Sequence, residues 1–280
     1  MMIDLSIQDS SGVVPVVGPG VLASYSDAHS TLTWSHERQL LRRHGIEPGM
    51  SMISLGGGSG AFERCLATEL QPMHLVIRDS DPWAIAEARS RGVLRPLELS
   101  QGGYEELPYA DDSFDAGFCR HALWSMTAEE QARAVAELMR VVRPGGVLYL
   151  LDQVSTAGEG HPDSEAIANA FRELLALRRA TGWAIEAAPT QAGLLRRSGL
   201  ADVRLDLMIA SSAGQADAFT DLITCWRMES VEMALAAGWP AERIRRVDRG
   251  LRAYRQAAIH GQATLPVWVL SGRKPGCLAG

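Results

Sequence analysis

Between residues 50 and 152 the chain alternates short, continuously apolar runs with longer stretches in which apolar residues recur every three or four positions. That rhythm predicts strand, helix, strand, helix, as in a parallel sheet covered by helices on both faces. Strands are predicted over 50–55, 74–78 (closing at Asp79), 93–99, 114–121 and 147–152, and the first helix over 61–70. A second helix starts near Pro82, since proline suits a first helical turn. A third starts at Thr127, where Thr127 and Glu130 have the spacing of a capping box, and its apolar stripe is Ala132, Val135, Leu138 and Met139. Arg143-Pro144-Gly145-Gly146 stops it.

Around this core the pattern predicts one or two helices over 22–44, helices over 163–180 and 190–198, a strand over 202–210, two long helices within 215–260 and a closing strand over 266–271. The helix at 215–237 carries Phe219, Leu222, Ile223, Trp226, Met228, Val231 and Met233 over more than one face, so it is expected to be buried on two sides. The next one has a single stripe, Ile244, Val247, Leu251, Tyr254 and Ala258, with Arg243, Arg246, Arg249 and Arg255 turned to solvent. The predicted fold class is α/β: a doubly wound, mostly parallel, seven-stranded sheet of Rossmann-like type. An N-terminal helical lid (1–48) precedes the main domain (49–280), and a helical cap, at about 160–185 and 212–262, is inserted before the last strand.

Composition narrows the class. Hydrophobic residues make up 46% and charged residues 21%, as in a globular protein with a substantial core. The net charge of -6 argues against a nucleic-acid partner. Cysteines 65, 119, 225 and 277 have neither zinc nor disulfide spacing, and no two histidines fall at ligand spacing on one predicted element, so no metal is expected. The opening MMIDLSIQDSSG lacks the basic start and apolar core of a signal peptide, and no later run spans a bilayer. A cytoplasmic protein with no membrane partner is expected, alone or as a simple homo-oligomer.

In an open α/β sheet, ligands bind at the carboxyl ends of the strands. SLGGGSG at 54–60 places Gly56, Gly58 and Gly60 there, at the mouth of a helix, where bare backbone and a positive helix end can approach a ligand. Asp79 follows Gly56 by 23 positions, a spacing at which a carboxylate accepts both hydroxyls of a ribose. A phosphate-cradling loop is excluded, because no Gly-Lys-Ser/Thr follows. Gly56-x-Gly58-x-x-Ala61 also satisfies a loose dinucleotide fingerprint, which leaves a nicotinamide cofactor open beside other nucleosides.

Downstream the chain reads LPYADDSFDAGFCRHALWSM from 107 and ELMRVVRPGGVLYLLD from 137, then AAPTQAGLLRRSGLADVRL and VWVLSGRKPG. With the glycine loop and Asp79, these segments resemble the class I S-adenosylmethionine-dependent methyltransferases over most of the chain. The resemblance implies that Gly56, Gly58 and Gly60 pass close to the amino-acid part of S-adenosylmethionine, that Asp79 holds its ribose, that Tyr104 lies near adenine, and that Cys119 to His121 border the methionine portion and the reacting methyl group. Two positions depart from the family pattern. Ser54 stands where an aspartate usually helps to receive the cofactor's ammonium group, and Gly103 where an acid commonly meets the adenine amino group. A hydroxyl supplies a hydrogen bond without a countercharge, and Glu105 or Glu106 would replace the second acid if the loop is shifted.

His121 is the histidine that the motif places at the reacting end, where a neutral imidazole could accept a proton. Arg120 beside it would orient a substrate carboxylate or pair with Asp111, Asp112 or Asp115; as strand neighbours, the two are expected to face opposite sides. Tyr25, Trp34 and His36 are candidates for the lid. The activity so implied is methyl transfer to a small, fairly apolar molecule at oxygen, nitrogen or carbon, with secondary metabolism suggested by fold analogy. The alternatives are cyclisation or rearrangement on the same fold, a binding-only subunit, and a nicotinamide oxidoreductase.

Overall fold

The computed structural model describes residues 19–92, 97–123, 126–153, 158–180 and 187–276. The first half alternates as its periodicity demands: α1 (Pro19–Arg43), β1 (Ser51–Leu55), α2 (Ala61–Glu69), β2 (His74–Asp79), α3 (Pro82–Ser90), β3 (Leu97–Gln101), β4 (Phe114–Arg120), α4 (Ala128–Val141) and β5 (Val142–Gln153). Then follow β6 (Glu159–Gly160), α5 (Ser164–Ala180), α6 (Ala187–Arg197), β7 (Ala201–Ser211), α7 (Ala216–Ala236), α8 (Ala241–Ile259) and β8 (Ala263–Arg273). The start of the predicted third strand, 93–96, and Cys277 lie outside the described residues.

The strands run in the order β3-β2-β1-β4-β5-β8, with β7 beyond β8. The pairs from β3 to β5 are parallel, and β8 is antiparallel to both neighbours. β6 pairs with β8 at Thr264 and Ala263, while β7 already occupies Thr264 from the other side. β6 therefore continues the lane of β5, and the eight strands of the described residues fill the seven expected positions.

Successive strand residues feed opposite cores, as a pleated sheet requires. Met52, Leu75, Ile77, Phe118, Tyr149 and Leu151 pack with Phe62 and Leu66 of α2 and with α1, α5, α7 and α8. Ile53, Leu55, Val76, Leu148 and Leu150 pack on the other face, against α4 and α6. At roughly 25 cal/mol per Å² of apolar surface, these two layers are the main stabilising term. The stripe predicted for α8 is buried at every position. α7 buries Phe219, Leu222, Ile223 and Trp226, and it packs between α1 and α8.

Local signals set the ends of several helices. Asp81 caps α3 by accepting from the Trp83 amide at 2.9 Å, with Pro82 in the first turn. The Thr127–Glu130 capping box is present on α4, but that helix buries Gln131, Ala134 and Val141 along with Val135 and Leu138, and Ala132 is exposed. Arg143-Pro144-Gly145-Gly146 does not separate helix from strand: β5 begins at Val142, and the motif is a bulge across which the register moves from Phe114↔Val142 to Ala116↔Val147. α1 is a single helix of 25 residues.

Candidate active site

A cavity of about 580 Å³ opens at the carboxyl ends of β1, β2 and β4. Gly56, Gly57 and Gly58 form its floor, and Asp79 and His121 stand on opposite sides of that floor because β2 and β4 flank β1. The bare backbone is a steric requirement. A Cβ on Gly56 would sit 2.5 Å from that of Ala122, at a φ of 70°. One on Gly57 would meet Ile77 Cγ2 at 2.7 Å. Gly60 differs: at φ 74° it is the N-cap of α2, and it lies outside the cavity wall, where a Cβ would meet Ile77, Arg64 and Ala88.

On the β2 side Asp79 is nearly buried and organises the loops around it. Its Oδ2 accepts from the Gly58 amide at 3.0 Å and its Oδ1 from the Asp81 amide at 2.9 Å. Burial is the largest influence on its carboxyl and pushes its pKa up, opposed by those two amides. Tyr104 reaches the same corner, with its hydroxyl beside Asp79 and Ser80. The Tyr104 loop is held from below by Arg78, which donates to Gly103 O (3.1 Å), Ser100 Oγ (2.8 Å) and Gln101 O (3.0 Å). Gly103 and Glu105 line the cavity here, whereas Glu106 does not.

On the β4 side the strand ends at Arg120, and His121 takes φ 51°, the left-handed region that non-glycine residues rarely adopt. Strand alternation breaks at that point, so Arg120 and His121 both line the cavity, contrary to the expectation of opposite faces. His121 packs against His29 of α1, with ring centroids 3.9 Å apart and the planes tilted by 40°, and Tyr25 meets it edge-on at 5.8 Å. Asp152 Oδ1 lies 3.9 Å from His121 Nδ1, too far for a hydrogen bond. Burial, then His29 and Arg120, hold the His121 imidazole well below its ordinary pKa, so it is neutral at pH 7.

Arg120 has another commitment. Its Nε and Nη2 each reach a Glu37 carboxylate oxygen at 2.9 Å, and its guanidinium lies 4.0 Å over the Phe62 ring. The aspartates considered as its partners pair elsewhere: Asp111 with Arg140, Asp112 with Lys274 and Asp115 with Arg143. Cys119 is buried outside the cavity wall, where its thiol accepts from the Ala122 and Leu123 amides. Ser54 is fully buried behind the glycine loop and donates to Glu63 Oε1 at 2.5 Å.

Several wall residues were not singled out from the sequence. α1 supplies Ser26 and His29 beside Tyr25, and α7 supplies Cys225 and Glu229, the latter 3.6 Å from Arg178. Of the three lid candidates only Tyr25 reaches the cavity; Trp34 packs on Phe62 and His36 is exposed. A signal for α1 was available: Tyr25, His29, Thr33 and Glu37 recur every four positions and so share one face. Glu63 also lines the cavity, and its signal was its place among the inward positions of α2.

The donor set fits a nucleoside carrying an amino acid. A buried carboxylate suits a ribose, a floor of glycines admits a close ligand, and the Oε2 of Glu63 is buried without a hydrogen-bond partner among the described residues. Among the described residues no group of His, Cys, Asp and Glu could hold a metal, and no helix is long and apolar enough to cross a membrane.

Comparison with known proteins agrees. Residues 53–150 match the methyltransferase domain family, in line with the resemblance to the class I S-adenosylmethionine-dependent methyltransferases. The chain is similar to the ubiquinone/menaquinone biosynthesis C-methyltransferase UbiE of Bordetella avium, 32% identical over 115 residues, which are 39% of this chain and 43% of that protein. It is also similar to the sterol 24-C-methyltransferase ERG6B of Gibberella zeae, 25% identical over 137 residues, 48% of this chain and 35% of the relative. The chain thus spans less than half the length of either relative. In fold it resembles the phosphoethanolamine N-methyltransferase 2 of Haemonchus contortus solved with phosphomonomethylethanolamine and S-adenosylhomocysteine (TM-score 0.57, 16% identity, 90% of this chain and 57% of that one). The [4+2]-cyclase SpnF shares the fold as well (TM-score 0.52, 21% identity, 85% of this chain and 79% of that one).

Proposed function

We propose that the chain transfers a methyl group from S-adenosylmethionine to a small, largely apolar molecule. One observation carries this reading: a single cavity joins Asp79 on one side of the glycine loop to His121 on the other. Its volume falls within the roughly 300–1,000 Å³ of small-molecule sites. Asp79 and Tyr104 bind the nucleoside. His29, His121 and Tyr25 surround the acceptor, with α7 as its far wall. In this reading the described part of the expected 1–48 lid, α1, excludes water from the acceptor end; residues 1–18 lie outside the described residues.

S-adenosylmethionine, when bound, supplies a methyl group already activated on a sulfonium. What the chain must add is alignment, for which positioning supplies on the order of 7 to 11 kcal/mol. His121 is the proton acceptor in this reading: neutral at pH 7, it takes the proton that an acceptor carbon or hydroxyl releases as the methyl bond forms. Such a base contributes roughly 10² to 10⁴ in rate. The two curated relatives are both named C-methyltransferases, which favours carbon as the acceptor atom.

The test is transfer of labelled methyl from S-adenosylmethionine to a panel of phenols, quinols and isoprenoid alkenes; no product with any member, against tight nucleoside binding, would favour a cyclase or a binding-only subunit. The pH profile should carry the mark of the buried imidazole. An ordinary histidine gains its proton as pH falls through about 6.5. Because the His121 pKa is lowered, its neutral form persists below that point, and turnover should stay level while pH is lowered from about 8 through 6.5. Initial rates that fall with a midpoint at 6.5 would contradict this assignment.

A further inference from the structure

The glycine loop covers a carboxylate that the fold leaves half served. Glu63 lies in the first turn of α2, 1% exposed, on the face that also buries Ala61, Phe62 and Leu66. Its Oε1 accepts from Ser54, but its Oε2 is buried with no hydrogen-bond partner among the described residues. The nearby cations are committed elsewhere: Arg120 to Glu37, and Arg64 to the Ser59 carbonyl at 2.8 Å and to Asp27 at 3.8 Å. A buried carboxylate oxygen in this state is destabilising unless a donor arrives from outside the fold.

The cavity is where that donor can arrive. Glu63 is part of its wall, directly under Gly57; a Cβ there would come within 3.0 Å of Glu63 Oε1. Ser54 explains how the carboxyl is aimed. On β1 it points to the α2 face of the sheet, and as a hydroxyl it can donate, which an aspartate at the same place could not do. Strand and helix have exchanged roles: the strand gives the donor and the helix gives the charge.

We infer that the Glu63 carboxylate, oriented by Ser54, is the countercharge for the ammonium group at the amino-acid end of the cofactor. The inference rests on reading the cavity as an S-adenosylmethionine site. Its test is calorimetric binding of two ligands, S-adenosylhomocysteine, which carries the ammonium, and methylthioadenosine, which lacks the amino-acid end. Glu63→Gln should weaken S-adenosylhomocysteine roughly 10- to 100-fold, the value of a hydrogen bond to a charged group, and leave methylthioadenosine within about twofold. The methylthioadenosine arm also reports that the variant is folded. Equal losses for both ligands, or no loss for either, would overturn the inference. If Glu63→Gln does not fold, Ser54→Ala serves, with a smaller loss expected for S-adenosylhomocysteine alone and an equal loss for both as the contrary result. A wild-type protein that binds neither ligand overturns the reading of the site, and this inference with it.

Discussion

Asp79→Ala is expected to raise the Kd for S-adenosylhomocysteine by roughly 30- to 150-fold, about 2 to 3 kcal/mol. Two losses add. The ribose hydroxyls lose their acceptor, and the Gly58 and Asp81 amides lose the oxygens that hold the loops on either side of it. Asp79→Asn separates these contributions: it keeps one acceptor oxygen but gives up the charge and presents a donor in place of the second. It should fall between the wild type and Asp79→Ala. Affinity that is unchanged in Asp79→Ala, measured by calorimetry, would remove this residue from the site.

The second large effect is on stability. Arg120→Ala should cost about 3 to 5 kcal/mol in urea unfolding, because it leaves the Glu37 carboxylate, 0% exposed, without its partner. Replacing both partners, as in Arg120→Met with Glu37→Leu, should recover most of that loss, since two apolar residues need no pairing. The pair also joins α1 to β4, so the double variant tests whether α1 is held by charge or by packing. An Arg120→Ala protein with normal stability and no turnover would instead make Arg120 a catalytic residue.

Much of the fold was legible because its core strands are covered on both faces and therefore read as unbroken apolar runs. The capping box on α4, the proline of α3 and the stripe of α8 were equally direct, each being a local signal with a local cause. Legibility failed where tertiary pairing decides. The Arg-Pro-Gly-Gly segment has the composition of a helix stop, yet it is drawn into β5 as a bulge because the Gly145 amide donates to Lys274 O at 2.8 Å and Lys274 Nζ donates to Val142 O at the same distance. Only Lys274, which directly follows the closing strand and is distant in sequence, supplies those partners.

The site divides in the same way. The glycines and Asp79 could be placed because their spacing is set by one loop and the next strand. Arg120 and His121 could be located but not oriented, since the left-handed turn at His121 undoes the alternation that a strand imposes. Glu63 was hidden because an acid in the first turn of a helix reads as solvated and favourable to the helix dipole. The departure at Ser54 and the buried carboxyl of Glu63 are joined by one hydrogen bond between β1 and α2.

The cavity should accept a sulfur nucleoside, and calorimetry of the wild-type protein with S-adenosylhomocysteine and with NAD tests this most directly. The predicted result is saturable one-to-one binding of S-adenosylhomocysteine and none of NAD; binding of NAD without binding of S-adenosylhomocysteine would contradict it.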